Sequence, residues 1–390
     1  MRSRTSRRSA VVAAALALAT LSACGAGSAG EPGGGTIKIG ELYSLSGSLA
    51  SLGVPLDQGF SLAIDEVNTA GGINGKKLEL VRADYKSDTT QAVPKFRELV
   101  GKGVVAIGGP ESAVISSTLE PLATATKVPM VAGSGTSPTT PFAFSVYPTT
   151  GYFDLMAQYV KAQGKEPMCA FVVPGASQQI QEKSAFPVFQ QNGVPVRSVI
   201  PHEQAATDLT PQMSIVRSDG CKSVYEGSTG ASVLASAQAM ANLGMNDSVL
   251  VTVGSNANSE VVKALGANAK YVYFALPKAA VATQLPASDP QRAQLMHFYD
   301  SFVAKYQSPP PPSSVIGYII GTQIIAGLQA GNTTGETLQK WLDTATLPTI
   351  LGTYARTPQQ HNGAASAGYF VMGRFDPATS TFVLGGASAQ

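Results

Sequence analysis

Most of this chain alternates short strand-like segments with helix-like segments, an order that few folds other than a parallel α/β fold accommodate. The segment TIKIGEL is typical of a strand, and apolar residues then recur at helical spacing. Pro55 suits the first turn of that helix, and Gly71-Gly72 suit its end. The strands KLELVRAD, VVAIGG and PMVA follow, with helices predicted over 89–100 and 112–125. This part of the sequence therefore predicts one half of the molecule, a doubly wound α/β unit.

A second series of the same kind begins near Tyr152. The strands CAFVV, PVRSVI, KSVYEG, SVLVTV and AKYVYFAL alternate with helical segments. Two more helices are predicted over 290–306 and 315–330, separated by SPPPP, which cannot lie inside a helix. The tail segments GYFVMGRF and STFVLGG predict a hairpin. Two α/β halves in tandem imply a cleft between them. Ligands of such sheets bind at the carboxyl ends of the strands, so this cleft is the expected place for a ligand.

The first residues predict export. Four arginines precede an apolar run of only about a dozen residues, which is short for a membrane-spanning helix. The motif Leu-Ser-Ala-Cys that ends at Cys24 resembles a bacterial lipobox, in which the cysteine is lipidated. We therefore expect a lipoprotein signal peptide over 1–23 and a glycine-rich flexible tether over 24–35. Ordinary signal cleavage beside an incidental cysteine is the alternative.

The charge and the length of the chain further restrict the class of protein and the number of domains. Without the arginines of residues 1–23, 23 basic residues face 25 acidic ones, so nothing predicts the basic face that nucleic-acid binding requires. The remaining chain suits two domains better than one. Two cysteines, Cys169 and Cys221, remain besides the predicted lipid site, and in an exported protein such a pair is a disulfide candidate.

No catalytic or metal-binding motif stands out. The histidines His202, His297 and His361 are scattered, without the spacing of zinc ligands. The sequence has no phosphate-binding glycine loop, no Gly-x-Ser-x-Gly nucleophile elbow and no paired acid/base carboxylates. We therefore predict a binding protein with no cofactor and no metal rather than an enzyme.

Two uncharged loops follow buried strands. GSGTSP comes after VPMVA, and GGPESA ends where Ser112 opens a helix. Loops of this kind can hold a carboxylate by backbone amides and hydroxyls, because the strand ends present free N–H groups and helix N-termini. Ordinary turns with capping serines are the alternative.

The chain resembles the branched-chain amino acid and amide-type periplasmic binding proteins of ABC importers. The resemblance is carried by IGELYSLSGSLASLGVPLDQGFSLAIDEVNTAGGINGKKLELVRADYKSDTTQAV and VVAIGGPESAVISSTLEPLATATKVPMVAGSGTSP. It implies a type I periplasmic binding protein fold, with two doubly wound α/β lobes joined by three crossings. Lobe one would comprise 36–148 with 277–348, and lobe two 149–276 with 349–390. The lobes would close on a ligand in the cleft.

The resemblance also implies a site. In amino-acid-binding relatives the ligand carboxylate is held by a serine at a helix start and by a small-residue loop, which correspond here to Ser112 and to Ser134, Gly135 and Thr136. The remaining contacts, tyrosines in such relatives, fall on Leu52 and, in lobe two, on Gln178 and Thr229.

The counterpart of the glutamate that pairs with the ligand ammonium falls within 254–256, where no acid stands. A desolvated ammonium without an acceptor costs several kcal/mol, so a carboxylate-bearing or neutral polar ligand fits at least as well as an amino acid. Glu226 would restore the amino-acid interpretation if it pointed into the cleft. Strand alternation leaves its direction open.

A disulfide follows from the doubly wound topology. Cys169 and Cys221 precede the first and third strands of lobe two, which are adjacent in a 2-1-3 order. Strands lie about 4.8 Å apart, within bridging range. We therefore predict a Cys169–Cys221 disulfide.

Three functions are compatible with these features. The first is a monomeric, lipid-anchored solute-binding protein that delivers a small molecule to a membrane ABC permease. The second is a ligand sensor of the same fold that regulates a partner protein. The third, an exported enzyme on a two-lobe scaffold, is disfavoured because the catalytic constellation is missing.

Overall fold

The described residues form two large sheets and one small one. The structure is a computed structural model that describes residues 35–134, 138–146, 151–228, 230–362 and 367–386. The large sheets have five and seven strands, and the small one has two. This confirms the predicted α/β architecture with two mainly parallel sheets. The predicted lipidation site Cys24 lies outside the described residues.

The first sheet is entirely parallel, in the order β2-β1-β3-β4-β5. Its strands are β1 (Thr36–Tyr43), β2 (Lys77–Asp84), β3 (Ile107–Gly108), β4 (Met130–Ala132) and β5 (Ala143–Ser145). Its connecting helices are α1 (Ala50–Thr69), α2 (Thr89–Gly101) and α3 (Ala113–Thr126). Within β1, Ile39 and Leu42 point to opposite faces and join different apolar clusters. The sheet is therefore covered on both faces, as parallel sheets require.

Helix α1 begins five residues before the predicted start. It runs from Ala50, and Pro55 lies inside it rather than in its first turn. The glycines predicted to end it do so, because Gly71 and Gly72 have positive φ and the Gly72 N–H donates to the Val67 carbonyl at 2.8 Å. The prediction of the end was correct, whereas the start was placed one turn too late.

The second sheet has the order β14-β13-β10-β9-β8-β6-β7. Its parallel strands are β6 (Met168–Val172), β7 (Val196–Pro201), β8 (Ser223–Glu226), β9 (Val249–Val253) and β10 (Val272–Pro277). The helices of this half are α4 (Gly151–Ala162), α5 (Ala176–Gln191), α6 (Thr210–Ser218), α7 (Ala231–Asn242) and α8 (Ser259–Leu265). The predicted hairpin is present as β13 (Phe370–Asp376) and β14 (Thr381–Leu384), added antiparallel to β10.

The predicted disulfide is present. Strand β6 lies between β7 and β8, which is the predicted 2-1-3 order. Cys169 in β6 and Cys221, two residues before β8, are bonded with their Cα atoms 5.8 Å apart and a sequence separation of 52. The bridge links neighbouring strands of the second sheet.

Three helices after β10 return to the first sheet: α9 (Arg292–Tyr306), α10 (Pro312–Gln329) and α11 (Gly335–Leu342). Helices α10 and α1 approach closely at glycines, since a Cβ on Gly59 would lie 1.8 Å from the Ser314 carbonyl oxygen and one on Gly317 would lie 2.0 Å from that of Leu56. No helix in the described ranges combines the length and apolar character needed to cross a membrane.

A small hairpin, β11 (Thr346–Thr349) and β12 (Gly352–Ala355), precedes the last strands of the second sheet. The Tyr354 hydroxyl donates to the Val146 carbonyl at 2.6 Å, and the buried Arg356 guanidinium donates to Ser145 and Gln323. These bonds tie the hairpin to the end of the first sheet, although 349–390 was predicted for lobe two. The lobe boundaries stay a prediction.

Candidate functional site

A cavity of about 730 Å³ lies between the carboxyl ends of the strands of the two sheets. On the first-sheet side it is lined by the start of α1, the start of α3, the end of β4 and the start of α10. On the second-sheet side it is lined by the loops after β8 and β9 and by the starts of α7 and α8. Its position is the cleft that the tandem α/β pattern implies.

Much of the cavity wall is apolar. Leu52, Leu56 and Ile316 line it from the first-sheet side, and Leu234 and Phe370 from the other. A pocket with such walls and a few polar groups suits a small solute with an apolar body, because the polar groups then fix its orientation.

Tyr152 and Phe153, at the start of α4, have different environments. Tyr152 lines the cavity, while the Phe153 ring packs edge to face against Phe189 and Tyr225 in the core. Of these two aromatic residues, only Tyr152 is therefore placed to contact a ligand.

The predicted serines of the first sheet both lie beside the cavity. Ser134 lines it and is buried, and its hydroxyl shares a 2.6 Å hydrogen bond with that of Ser116. Ser112 caps α3 by accepting from the Ile115 N–H at 3.5 Å, and its neighbours Glu111 and Ala113 line the cavity. The structure therefore brings Ser134 and the start of α3 to one wall. Their ligand role stays a prediction.

The other predicted positions are separated. Gly135, Thr136 and Thr229 lie outside the described residues. Gln178, in the first turn of α5, donates to the Glu182 carboxylate at 2.7 Å and is not among the residues that line the cavity. The structure does not bring Gln178 to the cleft wall, and a ligand role for it stays a prediction.

Glu111 is a cavity residue that the sequence interpretation missed. Its Oε1 accepts from the Ser44 N–H at 3.1 Å and from the Tyr85 hydroxyl at 2.7 Å. Burial raises the pKa of the Glu111 carboxyl, and these hydrogen bonds only partly offset that effect. The available signal was its place directly before Ser112 in GGPESA.

Glu260 is the second acid that was missed. It stands in the first turn of α8 and lines the cavity from the second-sheet side. The resemblance to amino-acid-binding relatives places the expected acid within 254–256, a segment that does line the cavity. Glu260 lies just beyond that segment, after Asn258 has capped the helix by accepting from the Val261 N–H at 3.1 Å.

Glu226 does not face the cleft. Its side chain is fully buried, and its carboxylate accepts from the Ser228 N–H at 3.1 Å and from the Ser236 hydroxyl at 2.9 Å. His202 lies 3.4 Å away through Nε2. Burial favours the neutral imidazole, but the hydrogen bond and negative charge of Glu226 outweigh it and raise the pKa of His202. Glu226 therefore cannot supply the acid missing from 254–256.

The same network holds the loop after β8. Asn256, which lines the cavity, donates to the Ser228 carbonyl at 2.9 Å and accepts from the Gly230 N–H at 3.1 Å. Gly227 and Gly230 at the two ends of this loop also line the cavity. The buried polar groups thus fix the backbone that forms part of the cleft wall.

Comparison with known proteins agrees with this geometry. The family model described as periplasmic binding protein matches residues 36–376. The chain belongs to this family. Its members are extracytoplasmic proteins that bind a small molecule and work with ABC permeases, and the family is not one of enzymes. No cluster of His, Cys, Asp and Glu suited to a metal ion occurs within the part of the chain that the structure describes.

Solved structures share the fold of this periplasmic binding protein at low identity. An extracellular ligand-binding receptor from Rhodopseudomonas palustris HaA2 is 19% identical, with a TM-score of 0.74 over 89% of this chain and 99% of the other. The branched-chain amino acid transporter substrate binding protein LivJ from Streptococcus pneumoniae, in complex with isoleucine, is 21% identical (TM-score 0.72; coverage 89% and 97%). A solute binding protein from R. palustris in complex with benzoate is 18% identical (TM-score 0.71; coverage 91% and 97%).

Curated relatives match over a short segment. The Leu/Ile/Val-binding protein homolog 8 of Brucella abortus (strain 2308) is 50% identical over 74 residues, 19% of this chain. Homolog 7 of the same strain is 42% identical over 69 residues, 18% of this chain. These matches span only 18% and 17% of the relatives' own lengths.

Proposed function

We propose that this periplasmic binding protein is the solute-binding lipoprotein of an ABC importer. It captures a small solute between its two lobes and delivers it to the membrane permease. The observation that carries the proposal is the cavity of about 730 Å³ between the carboxyl ends of the two sheets. A pocket at this position, in a chain whose family binds small molecules, is the natural ligand site.

The candidate solutes are amino acids, amides and organic or aromatic acids. The apolar walls suit the body of such a molecule, and Ser134 with the start of α3 offers hydrogen bonds to its polar end. Gly135, Thr136, Gln178 and Thr229 complete the proposed set of ligand contacts from the sequence. Relatives of the same fold were crystallised with an amino acid and with an aromatic acid, which supports both classes.

The proposed closure is a hinge motion of the two lobes. Lobe one comprises 36–148 with 277–348, and lobe two 149–276 with 349–390. The ligand stabilises the closed form because only that form contacts it from both walls. The permease then distinguishes loaded from empty receptor by this shape.

The proposed location is the outer face of the cytoplasmic membrane. The signal pattern over 1–23 and the lipobox at Cys24 support export followed by lipidation. A glycine-rich tether over 24–35 then lets the protein reach its permease.

The test is a thermal-shift screen of the purified protein against amino acids, amides and organic acids, followed by titration calorimetry of each hit. A binding solute raises the melting temperature, since it stabilises the folded state by mass action. Ala113→Trp fills the cavity wall and should abolish the shift, whereas Val114→Trp, on the same turn but outside the lining, should not. Retention of full affinity by Ala113→Trp would remove the cavity from the proposal.

A further inference from the structure

The ionisable groups of the cleft wall have one sign. Glu111 and Glu260 line the cavity from opposite sides, and no Lys, Arg or His is among the residues that line it in the described ranges. The neighbouring stretches outside those ranges, 135–137, 147–150 and 229, contain none of these basic residues either. Among the described residues, a solute enclosed there meets acidic groups on both walls and no side-chain cation.

Glu111 lies on the cavity wall at the start of α3. A carboxylate bound there would lie next to a residue that is itself a carboxylate. The helix N-terminus offers about half an elementary charge, which is less than the full negative charge of an ionised glutamate. Like charges enclosed together disfavour each other, so this wall disfavours an anion unless the glutamate first takes up a proton.

The hydrogen bonds of Glu111 leave one of its oxygens available. Both short bonds, from Ser44 and Tyr85, go to Oε1, while Oε2 has only a 3.4 Å contact with the Ser44 N–H. Holding the loop that begins at Ser44 is therefore a task of Oε1. Oε2 has room in its coordination for a further donor.

Glu260 has no structural task of that kind. It is exposed in the first turn of α8, where Asn258 already supplies the cap. It makes no ion pair with any residue in the described parts of the chain. Its charge is available to a partner within the cleft.

We infer that the solute carries a net positive charge, with a protonated amine held between Glu111 and Glu260. This inference rests on the proposed function and replaces its candidate solutes with molecules that carry a net positive charge. It also reverses the expectation from sequence that a carboxylate is the group held at the start of α3. Amine N–H groups donate to the glutamate oxygens, and the apolar walls hold the remainder of the molecule.

The test compares molecules with one apolar skeleton and different charges. Leucine, 3-methylbutylamine and 4-methylpentanoate form one series, with 4-methylpentanamide as the neutral member; phenylalanine, phenethylamine, 3-phenylpropanoate and its amide form a second. Each is titrated calorimetrically into the purified wild type, Glu111→Gln, Glu260→Gln and the control Glu336→Gln. Glu336 also stands in the first turn of a helix, α11, but outside the cavity.

The inference predicts that the amine binds tightest and the acid weakest. Each cleft substitution should weaken amine binding by about tenfold or more, leave the amide nearly unchanged and improve the acid, because only a charge is removed. The Glu336→Gln control should match the wild type for every molecule.

Tightest binding by the acids, or amine affinity unaffected by both cleft substitutions, would overturn the inference and leave the proposed function standing. Where the broad screen finds a solute outside the two series, its charge decides: a net positive charge supports the inference, and a neutral or negative one overturns it. If no solute of any charge binds, the proposed function itself fails.

Discussion

Glu111 and Glu226 both stand near the carboxyl end of the third strand of their half of the molecule. Glu226 is the last residue of β8, whereas Glu111 follows β3 by three residues, directly before the cap of α3. Glu111 lines the cleft, whereas Glu226 is closed off by His202, Ser228 and Ser236. Topology brings an acid to the sheet edge in both halves, but the neighbouring side chains decide whether a ligand can reach it.

The two carboxylates differ in the hydrogen bonds that their oxygens accept. Glu226 receives hydrogen bonds on both oxygens, so its burial is compensated within the second half. Glu111 receives its short bonds on one oxygen only. The first half thus presents a partly satisfied acid to the cleft, and the second half uses its acid to hold the loop after β8.

The largest expected effect comes from removing the enclosed acid. Glu226→Ala leaves the serine donors and His202 without their acceptor, and should lower the free energy of unfolding by about 3–5 kcal/mol. Urea denaturation of the variant measures this loss. Glu111→Ala is the matched variant and should lose clearly less, because it removes short hydrogen bonds to one carboxylate oxygen, whereas Glu226→Ala removes bonds to both oxygens and the pairing with His202. Equal losses would mean that the two acids contribute equally to the free energy of unfolding, which would contradict the comparison.

The second-largest expected effect comes from removing the disulfide, which lies in the second half of the molecule. Replacing both cysteines, Cys169→Ser with Cys221→Ser, should cost about 2–4 kcal/mol, because the bridge restricts the unfolded chain. Hydrogen exchange should show the loss of protection in β6 and β8, while β1 and β2 keep theirs in local opening reactions. Loss spread evenly over both sheets would contradict a local role for the bridge.

A smaller effect depends on pH. The pKa of His202 is raised in the folded state, so its pairing with Glu226 adds stability that is fully present below the unfolded value of about 6.5. That stability is lost as the pH rises through the raised folded value. Unfolding free energies of the wild type and His202→Gln should therefore converge with rising pH above neutrality. A constant difference from pH 5.5 to 9 would show that the charge of His202 contributes nothing.

The sequence predicted the parts of the fold that depend on local pattern. Parallel α/β units, the 2-1-3 order in the second sheet, the tail hairpin and the Cys169–Cys221 bridge follow from periodicity and from the rules of doubly wound sheets. The short strand β5 was missed because three residues give no usable periodicity. The start of α1 was misplaced because Pro55 is more common in a first turn than one turn further on.

The site was less predictable than the fold. The position of the cleft follows from topology, but the direction of Glu226 does not, since it depends on His202 and Ser236 from two other elements. Glu111 and Glu260 sit at helix starts, where acids are common for reasons unrelated to ligands. Only their joint position on one cavity distinguishes them, and that requires the packing of the two halves.

A structure of the protein with its own solute tests the central claim most directly. The solute should be extracted with the protein or found by the screen, and its complex solved by crystallography. The molecule in the cavity should lie beside Ser134 and carry a net positive charge, with its cationic nitrogen within about 4 Å of the carboxylates of both Glu111 and Glu260. A solute bound outside the cavity, or one that places its own carboxylate at the start of α3 beside Glu111, would contradict the claim.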